Sequence, residues 1–204
     1  MSQQAVELLE AELALIVNPT LREFATFTLE RAPAYFTEVA SSSTGKYHPE
    51  QSNRVPGGLI NHTRATVVFA LRLCRAYDVA GDEQDAVVVA CLLHDLLKYS
   101  DVTKGAEVKQ KHTTKTHDYD CALFVHKRAG DFTAATGKDV PQLSSVLGAI
   151  AWHMGRWTIR ANPTHSLKKF PEEYTTHEII VHLADMCSSE PAVSLPILDA
   201  SLVG

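Results

Sequence analysis

The pair His94-Asp95 places two strong metal ligands side by side at the end of an apolar stretch, within Ala90-Cys-Leu-Leu-His-Asp-Leu-Leu-Lys98. Burying an imidazole and a carboxylate among apolar side chains costs free energy unless a partner satisfies them, and a divalent cation is such a partner. Lys98 follows His94 by four residues and Asp95 by three, so in a helix all three side chains share one face. A capped helix end with a chance His-Asp pair is the alternative that this segment by itself leaves open.

Four other places along the chain offer ligand-type side chains in or beside apolar, helix-like segments. These are His62, His117, His153 and Asp185. A helical bundle directs such positions into its core. One histidine on an apolar face is usually a hydrogen-bonded core residue, but several such places in addition to the pair favour a metal cage. A mixed imidazole and carboxylate set suits Mn, Fe, Co, Ni or Zn better than Ca, so we predict one or two divalent transition metal ions.

The composition of the 204-residue chain limits the class of protein. With 45% hydrophobic and 21% charged residues, the chain suits one globular domain that forms its own core. A net charge of -5 without a basic tail argues against strong binding of duplex nucleic acid. The four cysteines are scattered and form no Cys-x-x-Cys pair, which is typical of free thiols in a reducing compartment. We find no signal peptide and no run of membrane-spanning length, and therefore expect a soluble, cytoplasmic protein.

Helices must position these ligands, because apolar residues recur with helical period through most of the chain. The predicted helices span residues 3–17, 21–30, 59–77, 83–97, 117–129, 143–154 and 172–188, with long loops over 41–58 and 100–112. Residues 87–93 fit a buried strand equally well by periodicity, but the length of the segment and the shared face of its ligands favour a helix. Strand signals are almost absent, so we predict an all-α bundle with the metal site in its core.

The order of the ligand-type residues, one His, then His-Asp, then Asp on separate helices, resembles the HD superfamily of metal-dependent phosphohydrolases. Within it, the chain is most similar to the HD domain of the YhaM-type 3'-5' exoribonucleases. The segments that carry the resemblance are Asn18-Pro-Thr-Leu-Arg22, Lys46-Tyr-His48, Gly57-Gly-Leu-Ile-Asn-His-Thr63, Leu92-Leu-His-Asp-Leu-Leu-Lys98, Trp152-His-Met-Gly155 and His182-Leu-Ala-Asp185. The resemblance implies a single HD domain over residues 1–204, with its core at about 18–189, a helix at 3–17 and a tail at 190–204.

The resemblance also assigns roles to particular residues. The ligands of the family's metal correspond to His62, His94, Asp95 and Asp185. In dinuclear members, two further ligands correspond to His117 and His153, and Asp95 can bridge the two ions with one oxygen each. Asp95 and Lys98 are the expected catalytic residues, with Lys98 contacting the phosphate or steadying the attacking hydroxide.

Two features depart from the family pattern. The oligonucleotide-binding domain that precedes the HD domain in the exoribonucleases is not expected in this chain. Trp152 stands where the fourth helix of the family has the first histidine of His-His-Gly, which removes one contact to a second metal. The resemblance therefore implies phosphohydrolase chemistry more strongly than it implies RNA specificity.

Residues beside the ligands are candidates for substrate binding. Arg156 and the loop lysines can grip phosphates, Trp157 can stack on a base, and His48 can line the pocket. The loop lysines in question are Lys104, Lys109 and Lys111. The alternatives are a solvated loop for the lysines, core packing for the tryptophan and a surface loop for His48. His182, three residues before Asp185, is expected to support a ligand or to lie in the core.

The sequence therefore predicts a divalent-metal phosphohydrolase that cleaves a phosphodiester of a nucleotide or a short oligonucleotide. A nucleoside mono- or triphosphate phosphohydrolase is the first alternative. A non-catalytic HD module that senses a nucleotide is the second, although the presence of all the expected ligands disfavours it. The sequence leaves the oligomeric state open.

Overall fold

The N-terminal segment forms two short helices, α1 (Gln3–Leu8) and α2 (Glu10–Leu13), where the sequence predicts one helix over residues 3–17. The structure, a computed structural model, describes residues 3–43, 51–101, 105–155, 169 and 171–189. Leu9, Leu13 and Ile16 are all buried, and the backbone turns at Leu9 and again after Leu13. These three side chains, spaced by four and three residues, anchor the segment in the core on both sides of the turns.

The next helix, α3 (Pro19–Leu29), has a well-formed N-terminus. The Asn18 side chain accepts hydrogen bonds from the backbone N–H groups of Thr20 and Leu21, at 3.0 and 3.1 Å, and Pro19 occupies the first turn. The Asn18 backbone N–H in turn donates to Asp85 over 2.6 Å. This bond fixes the start of α3 against a later helix.

A glycine pair permits the close packing of α4 (Gln51–Arg54) and α5 (Gly58–Ala76). Gly57 has a positive φ of 79°, a backbone angle that residues with a Cβ rarely adopt. A Cβ on Gly58 would collide with the backbone of Asn53. The Gly57-Gly58 turn therefore lets α5 begin directly against α4, and α5 follows the prediction over 59–77 closely.

The central helix α6 (Asp82–Leu93) is buried on all sides from Asp85 to Leu93. It packs against α3 and α5 and against two helices that follow it in the chain. A helix that is apolar all round belongs in a core, so residues 87–93 form the helix that the sequence predicts and not the strand that their periodicity equally permits.

The segment after α6 differs from the prediction in two ways. The α-helix ends at Leu93, and residues 94–99 continue as tighter turns, with hydrogen bonds such as Lys98 N–H to the Asp95 carbonyl at 3.1 Å. The predicted loop 100–112 contains a small antiparallel pair, β1 (Ser100–Asp101) with β2 (Gly105–Lys109). The first strand has two residues and the second five, so any alternation between apolar and polar residues is too short to be recognised as a strand from the sequence.

The remaining helices are α7 (His117–Thr136), α8 (Leu143–Trp152) and α9 (Thr176–Ser189). The helix α7 runs seven residues beyond the predicted end at residue 129 and stops at Gly137, which has a φ of 72°. The helix α9 begins at Thr176 rather than 172, because residues Pro171–Glu173 form a separate 3-10 turn.

The helices form one core around α6. The helix α9 packs against α5, α6 and α8, and α7 packs against α8 and α3. Apart from the β1–β2 pair, the regular structure of the described residues is helical, so the predicted all-α class is confirmed. Within the described part of the chain, none of the helices combines the length and the hydropathy that crossing a membrane requires.

Candidate metal centre

The ends and inner faces of five helices converge on a cluster of histidine and aspartate side chains. His62 lies in α5, His94 and Asp95 follow α6, His117 opens α7, His153 follows α8, and Asp185 lies in α9. All of these side chains are buried except that of Asp185, which is 14% exposed. The structure thus brings together every residue that the sequence predicts as a metal ligand.

One half of the cluster surrounds the Nε2 atoms of His62 and His94, which lie 3.4 Å apart. Each Nε2 lies 3.4 Å from Asp95 Oδ2. Asp185 Oδ1 lies 3.0 Å from His62 Nε2 and 3.7 Å from His94 Nε2. We refer to these four side chains as the first ligand set.

The other half of the cluster surrounds Oδ1, the second oxygen of the Asp95 carboxylate. Asp95 Oδ1 lies 3.2 Å from His117 Nε2 and 3.7 Å from His153 Nε2, and the two Nε2 atoms are 3.3 Å apart. We refer to Asp95, His117 and His153 as the second ligand set. Ligand atoms of Asp95, His117 and His153 lie within 4.8 Å of one another, as do those of Asp95, His62 and His94, and both groups have the spacing of a metal site.

The two sets meet at Asp95, whose carboxylate directs one oxygen toward each. Asp95 is 1% exposed, and among the described residues its Oδ1 has no hydrogen-bond donor. A buried carboxylate oxygen without a partner is costly. A cation in the second set would satisfy Oδ1, so the donors present fit a metal.

Backbone hydrogen bonds orient three of the imidazoles. In each, Nδ1 donates to the carbonyl oxygen three residues earlier, over 2.6–2.7 Å. The pairs are His94 with Cys91, His117 with Thr114, and His153 with Ile150. In a neutral imidazole, a proton donated from Nδ1 leaves an acceptor lone pair on Nε2, so in their neutral form these rings direct Nε2 to the cluster as a ligand.

The charges of the cluster are strongly coupled. Burial by itself lowers the pKa of His94, but the Asp95 and Asp185 carboxylates outweigh burial and raise that pKa to about 10. Burial and the neighbouring His94 lower the pKa of His153 to about 3. Burial alone would raise the pKa of Asp95, but Lys98 and the imidazoles hold it well below its ordinary value, and His62 and His94 do the same for Asp185. The metal-free cluster therefore retains two carboxylates and a proton on His94 at neutral pH.

Lys98 closes one side of the first ligand set. The residue is 6% exposed, and its ammonium contacts Asp95 Oδ2, three residues earlier. The shared face that the sequence predicts for His94, Asp95 and Lys98 is thus present, although tight turns and not the α-helix form it.

Two supporting residues add to the cluster from α9. His182 donates from Nδ1 to the His153 carbonyl over 2.7 Å, consistent with the expectation that it supports a ligand. Ser188 lies 3.0 Å from His62 Nδ1. Ser188 is not predicted from the sequence, because its one signal there is a spacing of three residues from Asp185 in a helix.

The substrate-binding candidates are only partly described. His48, Lys104, Arg156 and Trp157 lie outside the described residues. Lys109, the last residue of β2, and Lys111 are exposed, which favours the alternative that these lysines are solvated. Trp152 is half-buried, with its ring 6.1 Å from that of Tyr174, and so packs against the chain preceding α9.

An all-α fold with a buried His/Asp cluster at the meeting point of its helices defines a class of metal-binding helical proteins. The family model of the HD domain matches residues 59–190, which include every residue of both ligand sets. The chain therefore belongs to the HD-domain family, and the predicted HD-type fold is confirmed. No curated protein and no solved structure matches the chain. Membership in this family, together with the buried cluster, indicates a divalent-metal-dependent phosphohydrolase.

Proposed function

We propose that this protein is a dinuclear phosphodiesterase that hydrolyses a nucleotide or a short oligonucleotide. The observation that carries the proposal is the position of Asp95, which directs Oδ2 to the first ligand set and Oδ1 to the second. A carboxylate shared in this way suits a pair of closely spaced cations, which is an arrangement that phosphatases and nucleases use.

The residues divide between two ions. His62, His94, Asp185 and Asp95 Oδ2 would hold the first, and His117, His153 and Asp95 Oδ1 would hold the second. When bound, the ions would supply a water of lowered pKa and neutralise charge that develops on the phosphate. Mn, Fe, Co, Ni and Zn all suit this mixed donor set.

Among the described residues, Lys98 brings a positive charge of the chain into contact with the ligand sets. In the metal-free protein its ammonium faces Asp95 Oδ2, where a cation of the first set would compete for the same oxygen. Displaced from this carboxylate, the ammonium would lie beside the ions and could contact a phosphate oxygen. A charge-assisted contact that strengthens as negative charge develops raises the rate as well as the affinity.

The choice of a diester rests on similarity as well as on the shared Asp95. The segments that resemble the YhaM-type exoribonucleases include Gly57-Gly-Leu-Ile-Asn-His-Thr63 at the start of α5 and the turn that carries His94, Asp95 and Lys98. The net charge of -5 favours a nucleotide or a short oligonucleotide over a long duplex.

A second candidate function is hydrolysis of nucleoside mono- or triphosphates at a single ion. Trp152 replaces a histidine of the family pattern, and its ring lies beside Tyr174. The second ligand set therefore offers three protein ligands against four in the first, which favours a mononuclear nucleotidase.

A substrate panel measured together with the metal content distinguishes these functions. The protein, purified without chelator, is incubated with nucleoside mono- and triphosphates, cyclic dinucleotides and short RNA and DNA, each with Mn, Co, Ni, Zn or Mg. Two ions per chain with cleavage of diesters supports the proposal. One ion with cleavage of nucleoside phosphates alone supports the second candidate, and no hydrolysis with any metal contradicts both.

A further inference from the structure

His62 differs from the other imidazoles of the cluster in its position along its helix. His94, His117 and His153 lie at helix ends. There Nδ1 can bond to a backbone carbonyl that the helix leaves unpaired, or to a carbonyl of the segment before the helix. His62 is the fifth residue of α5, inside the helix, and carbonyls of the preceding turn are engaged in the helical hydrogen bonds. The Leu59 carbonyl, three residues before His62, accepts a further bond from the Thr63 hydroxyl at 2.9 Å. The Nδ1 atom of His62 must therefore find its partner on another element.

Ser188 of α9 provides that partner. Its Oγ lies 3.0 Å from His62 Nδ1 and 2.7 Å from the Asp185 carbonyl oxygen. The Asp185 carbonyl can only accept, and at 2.7 Å it is closer to the hydroxyl than Thr66 or His62, so the Ser188 proton is assigned to Asp185 and a lone pair of Ser188 to the N–H of His62. Thr66, one turn after His62, lies 3.0 Å from the same hydroxyl.

The direction of these bonds decides the state of the imidazole. With the proton on Nδ1, the lone pair of His62 Nε2 faces Asp185 Oδ1 at 3.0 Å. A cation bound by both of these acceptors would satisfy them. The opposite tautomer would place a proton on Nε2, where it would bond to the carboxylate and oppose metal binding.

We infer that Ser188 is a positioning residue that selects the Nδ1–H tautomer of His62 and thereby sets the metal affinity of the first ligand set. The inference rests on the metal centre of the proposed function. It also explains why Asp185 and Ser188 are three residues apart, since one turn of α9 then supplies both a ligand and the support of a second ligand. Ser188 is 6% exposed, so water does not readily replace its hydroxyl.

Two measurements test this role, and Ser189 supplies the matched control. The Ser189 hydroxyl donates to the same Asp185 carbonyl, at 2.9 Å, from the next position of α9. We expect Ser188→Ala to lower the Mn²⁺ affinity of one binding step by about 10- to 100-fold, the usual effect of removing such a partner. We expect Ser189→Ala to leave the affinities unchanged and Ser188→Thr, which keeps a hydroxyl, to restore most of the loss. Titration of Mn²⁺ followed by electron paramagnetic resonance gives these affinities.

The second measurement needs no metal and reads the position of the His62 proton directly. Imidazole ¹⁵N shifts of the metal-free protein should show His62 protonated at Nδ1, and Ser188→Ala should shift it toward the Nε2–H form. A wild-type His62 in the Nε2–H form, or equal Mn²⁺ affinities in the wild type and Ser188→Ala, would overturn the inference. A wild-type protein that binds no divalent metal would instead contradict the proposed function. If Ser188→Ala does not fold, the wild-type shifts still decide the question.

Discussion

At the scale of single residues, Asp95 is the side chain on which both ligand sets depend. Asp95→Asn keeps the shape of the side chain but removes its charge and replaces one ligand oxygen with an amide nitrogen. Because each oxygen faces a different set, we expect loss of both ions and of hydrolytic activity. Elemental analysis and steady-state rates on the best substrate check this.

The same variant should also destabilise the metal-free protein. Lys98 is buried and contacts the Asp95 carboxylate, so the variant leaves its charge without that partner. Breaking a buried pair in this way costs about 3–5 kcal/mol. Asp139→Asn, at an exposed position after α7, is the control and should change neither metal content nor stability. Retention of two ions by Asp95→Asn would mean that Asp95 is not the shared ligand.

Lys98 has a different role, because its ammonium is not a metal ligand at neutral pH. We expect Lys98→Ala to lower kcat by about 10²-fold or more, in line with the loss of one preorganised charge-stabilising group. The metal content should remain that of the wild type. Lys98→Arg should rescue poorly, since the guanidinium is larger and planar in a site with 6% exposure. Near-normal kcat in Lys98→Ala would assign the lysine a structural role.

At the scale of elements, the turn after α8 is constrained by its glycine. Gly155 has a φ of 58°, and a Cβ there would collide with the ring of His182, which holds the His153 carbonyl at 2.7 Å. We expect Gly155→Ala to destabilise the protein by about 1–3 kcal/mol, from backbone strain and the displaced ring, and to weaken the second ligand set. Thermal unfolding with chelator, and Mn²⁺ titration, measure the two effects.

Gly130 of α7 provides the opposite case. A Cβ there would meet nothing within 4 Å, and the residue lies inside a helix. Gly130→Ala should therefore stabilise the protein by about 0.5–1 kcal/mol without changing metal binding. Equal effects of the two substitutions would show that the contact with His182 does not constrain the turn.

The sequence predicted those elements whose apolar pattern alone determines their packing. The helices α5, α6 and α8 fall close to the predicted ranges, because each has a continuous apolar face or surface. The β1–β2 pair depends on contacts between separate segments, such as that of Gln110 N–H with the Tyr99 carbonyl at 2.6 Å. No local pattern reports such contacts.

The candidate site was predictable for a related reason. Histidine and aspartate are uncommon in apolar helices, so His62, His94, Asp95 and Asp185 stand out by type alone. Ser188 does not, because a serine near a helix end has many explanations, and only the three-dimensional structure shows that its hydroxyl meets His62.

At the scale of the whole molecule, the fold encloses charge at the centre of its core. A carboxylate pair, four imidazoles and an ammonium lie where the helices meet, and burial of such groups is costly unless they are mutually satisfied. In the metal-free protein a proton on His94 offsets part of the carboxylate charge. A bound cation would replace that proton, because a ligand imidazole must be neutral. The free energy of unfolding should therefore depend on pH and on metal concentration together.

The direction of the pH dependence follows from the individual pKa shifts. A pKa of His94 raised to about 10 gives stability that is fully present below the ordinary value of 6.5 and is lost as the pH rises toward 10. A pKa of His153 lowered to about 3 gives the reverse, with stability lost as the pH falls below 6.5. The lowered pKa values of Asp95 and Asp185 add to the loss at acid pH. The metal-free protein should therefore be most stable near neutral pH.

We accordingly expect the free energy of unfolding of the chelated protein to decrease between about pH 6.5 and pH 9, with a slope of at most about 1.4 kcal/mol per pH unit. Saturating Mn²⁺ should abolish most of this decrease, because a bound cation needs His94 neutral. Urea unfolding at a series of pH values, with chelator or with Mn²⁺, measures both slopes. His94→Gln should flatten the slope of the chelated protein, whereas His126→Gln, at an exposed position of α7, should leave it unchanged. An undiminished slope in His94→Gln would show that the proton exchanged for metal lies on another group.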